Sequence, residues 1–327
     1  MKNNHRYNKN KRKNIKTART MILFIIIVAF VVVGSTLMAI KFSESKQAVQ
    51  ALDVNKETNS ESNLDSNKEK SLDSNGENNT DNKSNLNSNV NSLENDPIAD
   101  DIAFVEKYLN QQMKGQMPDG AADGKKVVYL TFDDGPSETV TPHILDTLKA
   151  ENVHATFFLV GKAIDESKVT KNLVKREVEE GNAIGNHTYS HNYNYLYPNK
   201  TVSVDNFMAD VNKTNQSLKN ILGENFSTRA IRFPGGHMTW KGMDAMDAVL
   251  KEKDYHQVDW NALSKDAEGK PKNAEQLKQE LIKTIPTGRQ KAIILMHDTY
   301  GKEETAKALP EIIKYLREQG YEFRTMK

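Results

Sequence analysis

The chain has 327 residues, which is enough for two average domains or for one α/β barrel. Its formal net charge of +1 gives no reason to expect nucleic acid or a bulk acidic partner. Because the sequence contains no cysteine, it excludes disulfides, thiolate–metal bonds, a thiol nucleophile and a lipoprotein anchor, so His, Asp or Glu must hold any metal.

The first 40 residues predict a membrane anchor. Residues 1–20 are basic and contain no acidic side chain, and residues 21–40 form an almost unbroken apolar run. A run of this length spans a bilayer as a helix, whereas the apolar core of a cleaved signal peptide is usually about 7–15 residues long. The run also lacks a clear small-x-small cleavage site, which favours an uncleaved single-pass anchor. The basic flank indicates a cytoplasmic N-terminus, so the rest of the chain is expected outside the cell membrane.

Residues 41–96 predict a disordered extracellular linker. The segment is rich in Asn, Ser, Asp, Glu and Lys and has almost no aromatic side chains. Such a composition buries too little apolar surface to offset the entropy lost on ordering. As a flexible coil it would span roughly 40 Å on average. We therefore expect a tether that lets an outer domain search near the membrane or within a surrounding wall.

A lead-in helix and loop are predicted at 97–124, and strand-like and helix-like runs alternate over the remaining domain, 125–327. The strand-like runs are Val127–Phe132, Ala155–Val160, Ala183–Asn186, Ala230–Phe233, His256–Trp260, Ala292–Met296 and Tyr321–Thr325. The helix-like runs are Thr141–Ala150, Val169–Glu180, Val202–Leu222, Trp240–Lys253, Ala274–Ile285 and Glu303–Gln319. Thr239 and Asn273 are plausible N-caps. Strict alternation of this kind indicates an α/β fold with a parallel sheet.

The position of the polar residues favours a barrel over an open doubly wound sheet. Carboxylates, imidazoles and a guanidinium lie at or just past the carboxyl ends of five of the strand-like runs: Asp133-Asp134, His187, Arg232, Asp259-Trp260 and His297. In a barrel all the carboxyl ends of the strands surround one mouth, whereas an open sheet uses mainly its switch point. We predict an irregular (β/α) barrel of about seven parallel strands.

Two short motifs predict a metal site. Asp133 and Asp134 end a buried strand, where adjacent like charges are costly unless a cation or a proton lies between them. His187 and His191 are four residues apart, so on a helical turn they would share one cation. Alone, an Asp pair is also typical of a turn cap, and two histidines at this spacing are a weak signal for a metal site. Together they predict three protein ligands with an open position, which is the arrangement of a catalytic divalent metal, zinc first and cobalt as another candidate.

At these residues the sequence resembles the NodB-homology polysaccharide deacetylases, carbohydrate esterase family 4. Thr131–Ser137 and His187–His191 resemble the first two family motifs. Three further stretches resemble the remaining motifs in the family's order: Arg232–Gly236, Asp259-Trp260 and Leu295–Asp298. The resemblance covers about Lys125 to Lys327. It departs from the family pattern at Gly235, where many relatives have an aromatic residue, and at His256, where the fourth motif often begins with an Asp.

The resemblance implies a role for each residue of the site. Asp134, His187 and His191 would hold the metal, with Asp133 as the general base. His297 would be the general acid. Arg232 would orient Asp133, and Asp259 would orient His297.

The implied reaction is metal-dependent hydrolysis of an N-acetyl group on a sugar, with release of acetate. A backbone N–H near Gly235 would help to stabilise the oxyanion, and Trp260 and Leu295 would wall the acetyl pocket. Together with the predicted anchor and tether, the resemblance implies that the substrate is cell-wall N-acetylglucosamine polymer, with peptidoglycan as the favoured candidate. Chitin-like oligomers, exported poly-N-acetylglucosamine and acetylated xylan stay open. A non-catalytic wall-binding module is the rival, and it predicts loss of a ligand, the base or the acid, all of which are present.

Overall fold

The computed structural model describes residues 97–327. The predicted cytoplasmic segment (1–20), membrane anchor (21–40) and disordered linker (41–96) lie outside the described residues. Within 97–327, no helix combines the length and the apolar character needed to cross a bilayer.

The elements of the described part follow the predicted alternation. In chain order they are β1 Ala99–Asp100, α1 Ile102–Met113, β2 Val127–Asp133, α2 Thr141–Ala150, β3 Thr156–Leu159, α3 Gly161–Ile164, α4 Lys168–Glu179, β4 Ala183–Asn186, α5 Tyr193–Leu196, α6 Val204–Leu222, β5 Ala230–Ile231, α7 Met243–Glu252, β6 His256–Gln257, β7 Ala262–Leu263, α8 Ala274–Thr284, β8 Lys291–His297, α9 Glu303–Glu318, β9 Glu322–Phe323 and β10 Thr325–Met326. Single 3₁₀ turns lie at Ala121–Asp123, Pro198–Lys200 and His237–Thr239.

The main sheet is parallel and strongly curled. Its strands follow the order β6-β5-β4-β3-β2-β8-β7, and β9 adds to the start of β2. A flat sheet of seven strands would be about 29 Å wide, because neighbouring strands lie about 4.8 Å apart. The two edge strands β6 and β7 are joined by residues 258–261 alone, a connection that spans at most about 18 Å. The sheet must therefore curl. The predicted α/β fold with about seven parallel strands is confirmed, but the predicted irregular barrel is a half-barrel.

The two faces of the sheet belong to different parts of the core. Val128, Leu130 and Phe132 of β2 face outward and pack with helices α2, α4, α8 and α9. Val127 and Tyr129 face inward and pack with α1. Because side chains alternate along a strand, Asp133 also points inward, at the mouth of the half-barrel. The lead-in helix was predicted correctly, and it packs against the inner face of the curled sheet.

Some details of the strands and helix caps differ from the prediction. The strand β7 was not predicted, because Ala262-Leu263 is too short to give a pattern. The expected last strand, Tyr321–Thr325, is two short strands, of which β10 pairs with β1. Helix α7 begins at Met243 after Gly242, so Thr239 is not its N-cap, whereas Asn273 caps α8 through a capping box with Gln276.

Candidate active site

The predicted catalytic residues meet at the carboxyl ends of the strands. Asp133 is the last residue of β2 and His297 the last residue of β8, and the two are direct neighbours across this pair of strands. His187 follows β4 and Arg232 follows β5. The inward-facing residues at one end of a curled parallel sheet converge, so one mouth collects side chains from four strands.

Asp133 is held by Arg232. The Arg232 Nη1 donates to Asp133 Oδ1 over 2.8 Å, and both side chains are buried. The guanidinium is itself fixed, because it also donates to Thr131 Oγ1 at 2.6 Å and to the Val258 carbonyl at 2.8 Å. It lies 4.1 Å from the centroid of the Phe158 ring. Arg232 thus engages one oxygen of Asp133 and leaves Oδ2 facing the mouth.

His187 presents a lone pair to Asp134. Its Nδ1 lies 2.7 Å from the Arg232 carbonyl oxygen. A carbonyl only accepts, so Nδ1 must carry the hydrogen, and in the neutral ring Nε2 is an acceptor. That Nε2 lies 3.4 Å from Asp134 Oδ1, and the Nε2 of His191 lies 3.2 Å from the same oxygen.

These three side chains fit a divalent cation. Their ligand atoms all lie within 4.8 Å of one another, and Asp134 Oδ1 is buried without a hydrogen-bond partner in the described part. Burial alone would raise the pKa of Asp134, but the imidazoles in their protonated forms hold this pKa well below its ordinary value, so in the absence of a cation a proton lies between these groups. Facing acceptors at this spacing repel one another unless a cation or a proton lies between them. A set of two imidazoles and one carboxylate is typical of a catalytic zinc site.

The backbone around the histidines differs from the prediction. Residues 187–191 form a loop, so the interpretation of His187 and His191 as neighbours on a helical turn is wrong. Thr188 and His191 adopt left-handed φ values of 66° and 49° instead. Asn186 Oδ1 accepts from the Thr188 N–H at 2.9 Å, and Asp210 Oδ2 accepts from the Ser190 N–H at 2.7 Å. Strained conformations of this kind persist where surrounding bonds enforce them, and they are common at functional sites.

His297 is oriented by Asp266. The Nδ1 of His297 lies 2.8 Å from Asp266 Oδ1, and its backbone N–H donates to Asp266 Oδ2 at 2.8 Å. Burial alone would lower the pKa of His297, but this hydrogen bond and the charges of Asp266, Asp133 and Asp134 raise it to about 9. The free Nε2 lies 4.0 Å from Asp134 Oδ2. His297 is therefore placed to carry a proton at the mouth.

The prediction that Asp259 orients His297 is wrong. The Asp259 carboxylate accepts instead from the His237 N–H at 3.0 Å, and its carbonyl accepts from Arg232 Nη2 at 3.3 Å. The physical reason is the unpredicted strand β7, which pairs directly with β8. The carboxylate beside His297 must come from the loop after β7, where Asp266 lies. The only sign of this role in the sequence was that a second Asp, Asp266, follows shortly after the assumed fourth motif, Asp259-Trp260.

The three predicted substrate contacts have different surroundings. Gly235 is exposed and left-handed, with φ 79°. Its N–H makes no hydrogen bond within the described chain, so it is a free donor near the mouth. Trp260 is half-buried and packs towards Gly236, and Leu295 is buried on the same face of β8 as His297. The contact of these residues with substrate stays a prediction.

Asp298, next to His297, is structural. It is fully buried, its carboxylate accepts from Thr141 Oγ1 at 2.6 Å, and its carbonyl accepts from Ser137 Oγ at 2.6 Å. Gly135 packs directly on this carboxylate, because a Cβ added at Gly135 would lie 2.2 Å from Asp298 Oδ2. The loop that carries Asp134 is thus fixed to the end of β8.

Replacing Gly135 with Ala should destabilise the protein. The added methyl group must displace the buried Asp298 carboxylate, and overpacking of this kind costs about 1–3 kcal/mol of the free energy of unfolding. Urea denaturation followed by circular dichroism measures the change. A midpoint equal to that of the wild type would contradict the close packing of Gly135 on Asp298.

A cleft opens beside the predicted metal ligands. It has a volume of about 580 Å³ and is lined by Asp134, His191 and Tyr189 together with Lys162, Glu166 and Tyr300. A larger cleft of about 680 Å³ lies between α1 and α7 and includes Asp259, but none of the predicted metal ligands. Two of the three predicted metal ligands therefore lie at the smaller cleft, which has room for a sugar-sized ligand.

Comparisons with known proteins agree with this site. A family profile described as polysaccharide deacetylase matches residues 120–258. A peptidoglycan-N-acetylglucosamine deacetylase of Bacillus cereus is 33% identical over 201 residues, which cover 61% of this chain and 68% of that protein. The structure of a Streptococcus mutans CE4 esterase superposes with a TM-score of 0.64 at 37% identity, over 72% of this chain and 94% of that one. The polysaccharide deacetylase Bc1974 from Bacillus cereus gives a TM-score of 0.54 at 33% identity, over 62% and 92% of the two chains.

Proposed function

Because this chain belongs to the polysaccharide deacetylase family, the NodB-homology group of carbohydrate esterase family 4, and is an N-deacetylase hydrolase, we propose that it removes N-acetyl groups from cell-wall N-acetylglucosamine polymer in a metal-dependent reaction. Peptidoglycan is the proposed substrate. The observation that carries the proposal is the convergence of Asp134, His187 and His191 between an oriented base, Asp133, and an oriented acid, His297. Hydrolysis of an amide needs both proton transfers.

We propose that Asp134, His187 and His191 hold the cation. A divalent ion there would supply Lewis-acid polarisation of the acetyl carbonyl and would make water more acidic. His187 is suited to this role, because its Nδ1–H bond to the Arg232 carbonyl fixes the ring with Nε2 inward. Zinc is the proposed ion, since two imidazoles and a carboxylate with an open position suit it.

The chain's own residues move the protons. Asp133 takes a proton from the attacking water through Oδ2, because Arg232 occupies Oδ1. Arg232 also keeps Asp133 from becoming a fourth ligand. The free N–H of Gly235 is proposed to stabilise the oxyanion. His297 then gives its Nε2 proton to the departing sugar nitrogen, so the C–N bond breaks and acetate and an amine are released.

His297 is suited to be the acid because of Asp266. A leaving amine must be protonated as the bond breaks, which needs an imidazolium at neutral pH. Asp266 supports this form through the hydrogen bond to Nδ1, with Thr305 Oγ1 donating to Asp266 Oδ2 at 2.9 Å. Asp266 is thus a positioning residue.

The proposed location is the outer face of the cell membrane. Residues 21–40 would anchor the chain with its N-terminus in the cytoplasm, and residues 41–96 would tether the domain that begins at residue 97. Within reach of such a tether the abundant N-acetylated polymer is the cell wall. Matched relatives include proteins named peptidoglycan-N-acetylglucosamine deacetylase, which supports peptidoglycan over chitin-like oligomers, exported poly-N-acetylglucosamine or xylan.

Acetate release tests the proposed function. The full-length chain should release acetate from N-acetylated peptidoglycan, should lose this activity after treatment with a chelator, and should regain it with Zn²⁺ or Co²⁺. Chitin oligomers and acetylated xylan serve as competing substrates in parallel assays. If no substrate yields acetate with either metal restored, the chain is a non-catalytic wall-binding module instead.

A further inference from the structure

An aromatic wall stands beside the metal ligand His191. It consists of Tyr193, Tyr197 and Trp240. Trp240 lies flat on the buried Tyr197, with ring centroids 3.9 Å apart, and its Nε1 donates to the Pro234 carbonyl at 2.9 Å. The Tyr193 ring meets Trp240 at 5.3 Å with an interplanar angle of 68°. Two rings are therefore fixed by the protein and support the third.

Tyr193 is the exposed member of the wall. Its side chain is 44% exposed, although its ring centroid lies only 5.3 Å from the His191 ring. It is the first residue of α5, a single turn capped by Asn192, whose Oδ1 accepts from two backbone N–H groups. The position of Tyr193 is thus set by a capped turn on one side and by Trp240 on the other. A partly exposed aromatic ring at the edge of a catalytic site is a surface for ligand contact.

Gly235 lies against this wall. A Cβ added at Gly235 would lie 3.1 Å from Trp240 Cζ2 and 3.3 Å from Tyr193 Oη. Even a methyl group at this position would need the neighbouring rings to move by a few tenths of an ångström. The free Gly235 N–H and the Tyr193 hydroxyl are therefore close together at the mouth.

The Tyr193 hydroxyl has no hydrogen-bond partner in the described part of the chain. No hydrogen bond to or from its Oη occurs among residues 97–327. The phenolic O–H can both donate and accept a hydrogen bond. A polar group of this kind beside a catalytic centre is available to a ligand rich in oxygen atoms.

We propose that Tyr193 is a sugar-binding residue whose ring packs against one face of a pyranose of the glycan and whose hydroxyl donates to an oxygen of that sugar. The C–H groups on the face of a pyranose carry a slight positive charge, which suits the negative face of an aromatic ring. The phenol end meets the polar rim of the sugar, so one side chain serves both surfaces. This inference rests on the proposed function, because it assigns the ligand of the same mouth.

Binding of a tetramer of β-1,4-linked N-acetylglucosamine tests the role of Tyr193. The full-length chain with Zn²⁺ and the substitution Asp133→Asn serves as the parent, so that the tetramer is not consumed during titration calorimetry. Adding Tyr193→Leu should weaken binding about 10-fold, since an aromatic contact exceeds simple burial by roughly that factor. Adding Tyr193→Phe should weaken it by about threefold or less, because the ring is kept.

Tyr195→Leu is the matched control. Tyr195 lies on the same turn, is 41% exposed and makes no ring contact within the described residues. Its variant should bind the tetramer as the parent does. Equal binding by Tyr193→Leu and the parent would overturn the inference, and so would a loss in Tyr193→Phe as large as that in Tyr193→Leu.

The outcome separates this inference from the proposed function. If the wild-type chain releases no acetate but tetramer binding depends on Tyr193, the deacetylation proposal fails and the sugar site stands. If acetate is released and tetramer binding does not depend on Tyr193, the deacetylation proposal stands and only the proposed sugar-binding role of Tyr193 is wrong.

Discussion

Replacing Asp133 with Asn should lower kcat for acetate release by roughly 1,000-fold while metal content stays near that of the wild type. The amide keeps the shape of the side chain but cannot accept a proton, and general base catalysis contributes about 10²–10⁴-fold. Metal binding should persist because Asp133 Oδ1 is engaged by Arg232 and Oδ2 lies 3.8 Å from the His187 Nε2. Steady-state kinetics and metal analysis of the same preparation give both quantities.

Asp134→Asn is the matched comparison for Asp133. The two residues are adjacent, but only Asp134 has an unpartnered buried oxygen between both imidazoles. Asp134→Asn should therefore lose most of its metal as well as its activity. If Asp133→Asn lost the metal and Asp134→Asn retained it, the two roles would be reversed.

The sequence predicted those parts of the fold that depend on long patterns. Apolar periodicity is strong in strand β2, in helix α1 and in those later helices that have ten or more residues. The predicted bounds of these elements agree with the structure within a few residues. The two-residue strands β7 and β10 carry too little pattern to be predicted. Their positions are set by tertiary pairing with β8 and β1.

The site was predicted to the extent that it follows strand ends. Asp133, Asp134, His187, Arg232 and His297 meet as expected because each lies at or directly after the carboxyl end of a strand. Asp266 and Tyr193 were missed for a different reason. Both lie in or next to loops, whose paths depend on contacts that have no periodic signature. The left-handed backbone of Thr188 and His191 was missed for the same reason, because it also lies in a loop.

Replacing Asp266 with Asn should lower kcat by about 10²-fold or more and should move the alkaline limb of the pH–rate profile to lower pH. As the proposed general acid, His297 would act in its imidazolium form, so activity is expected to be lost as pH rises through its pKa. Burial lowers the pKa of His297, but the hydrogen bond and charge of Asp266, together with the charges of Asp133 and Asp134, raise it to about 9. Without the Asp266 carboxylate the pKa falls, and the protonated fraction at neutral pH falls with it. A bound cation lowers the pKa of His297 in both proteins, so the diagnostic quantity is the difference between the two profiles.

Asp259→Asn is the control that separates the two candidate partners of His297. The Asp259 carboxylate contacts the His237 N–H and lies outside the hydrogen bonds of the His297 ring. Its variant should keep the alkaline limb of the wild type, because an amide oxygen still accepts from His237. Measuring kcat and kcat/KM from pH 6 to pH 10 in both variants decides the matter. If the alkaline limb moved in Asp259→Asn but not in Asp266→Asn, Asp259 would be restored as the partner of His297. The geometry predicts the reverse, because the carboxylate that contacts the His297 ring follows β7, which pairs with the strand that carries His297.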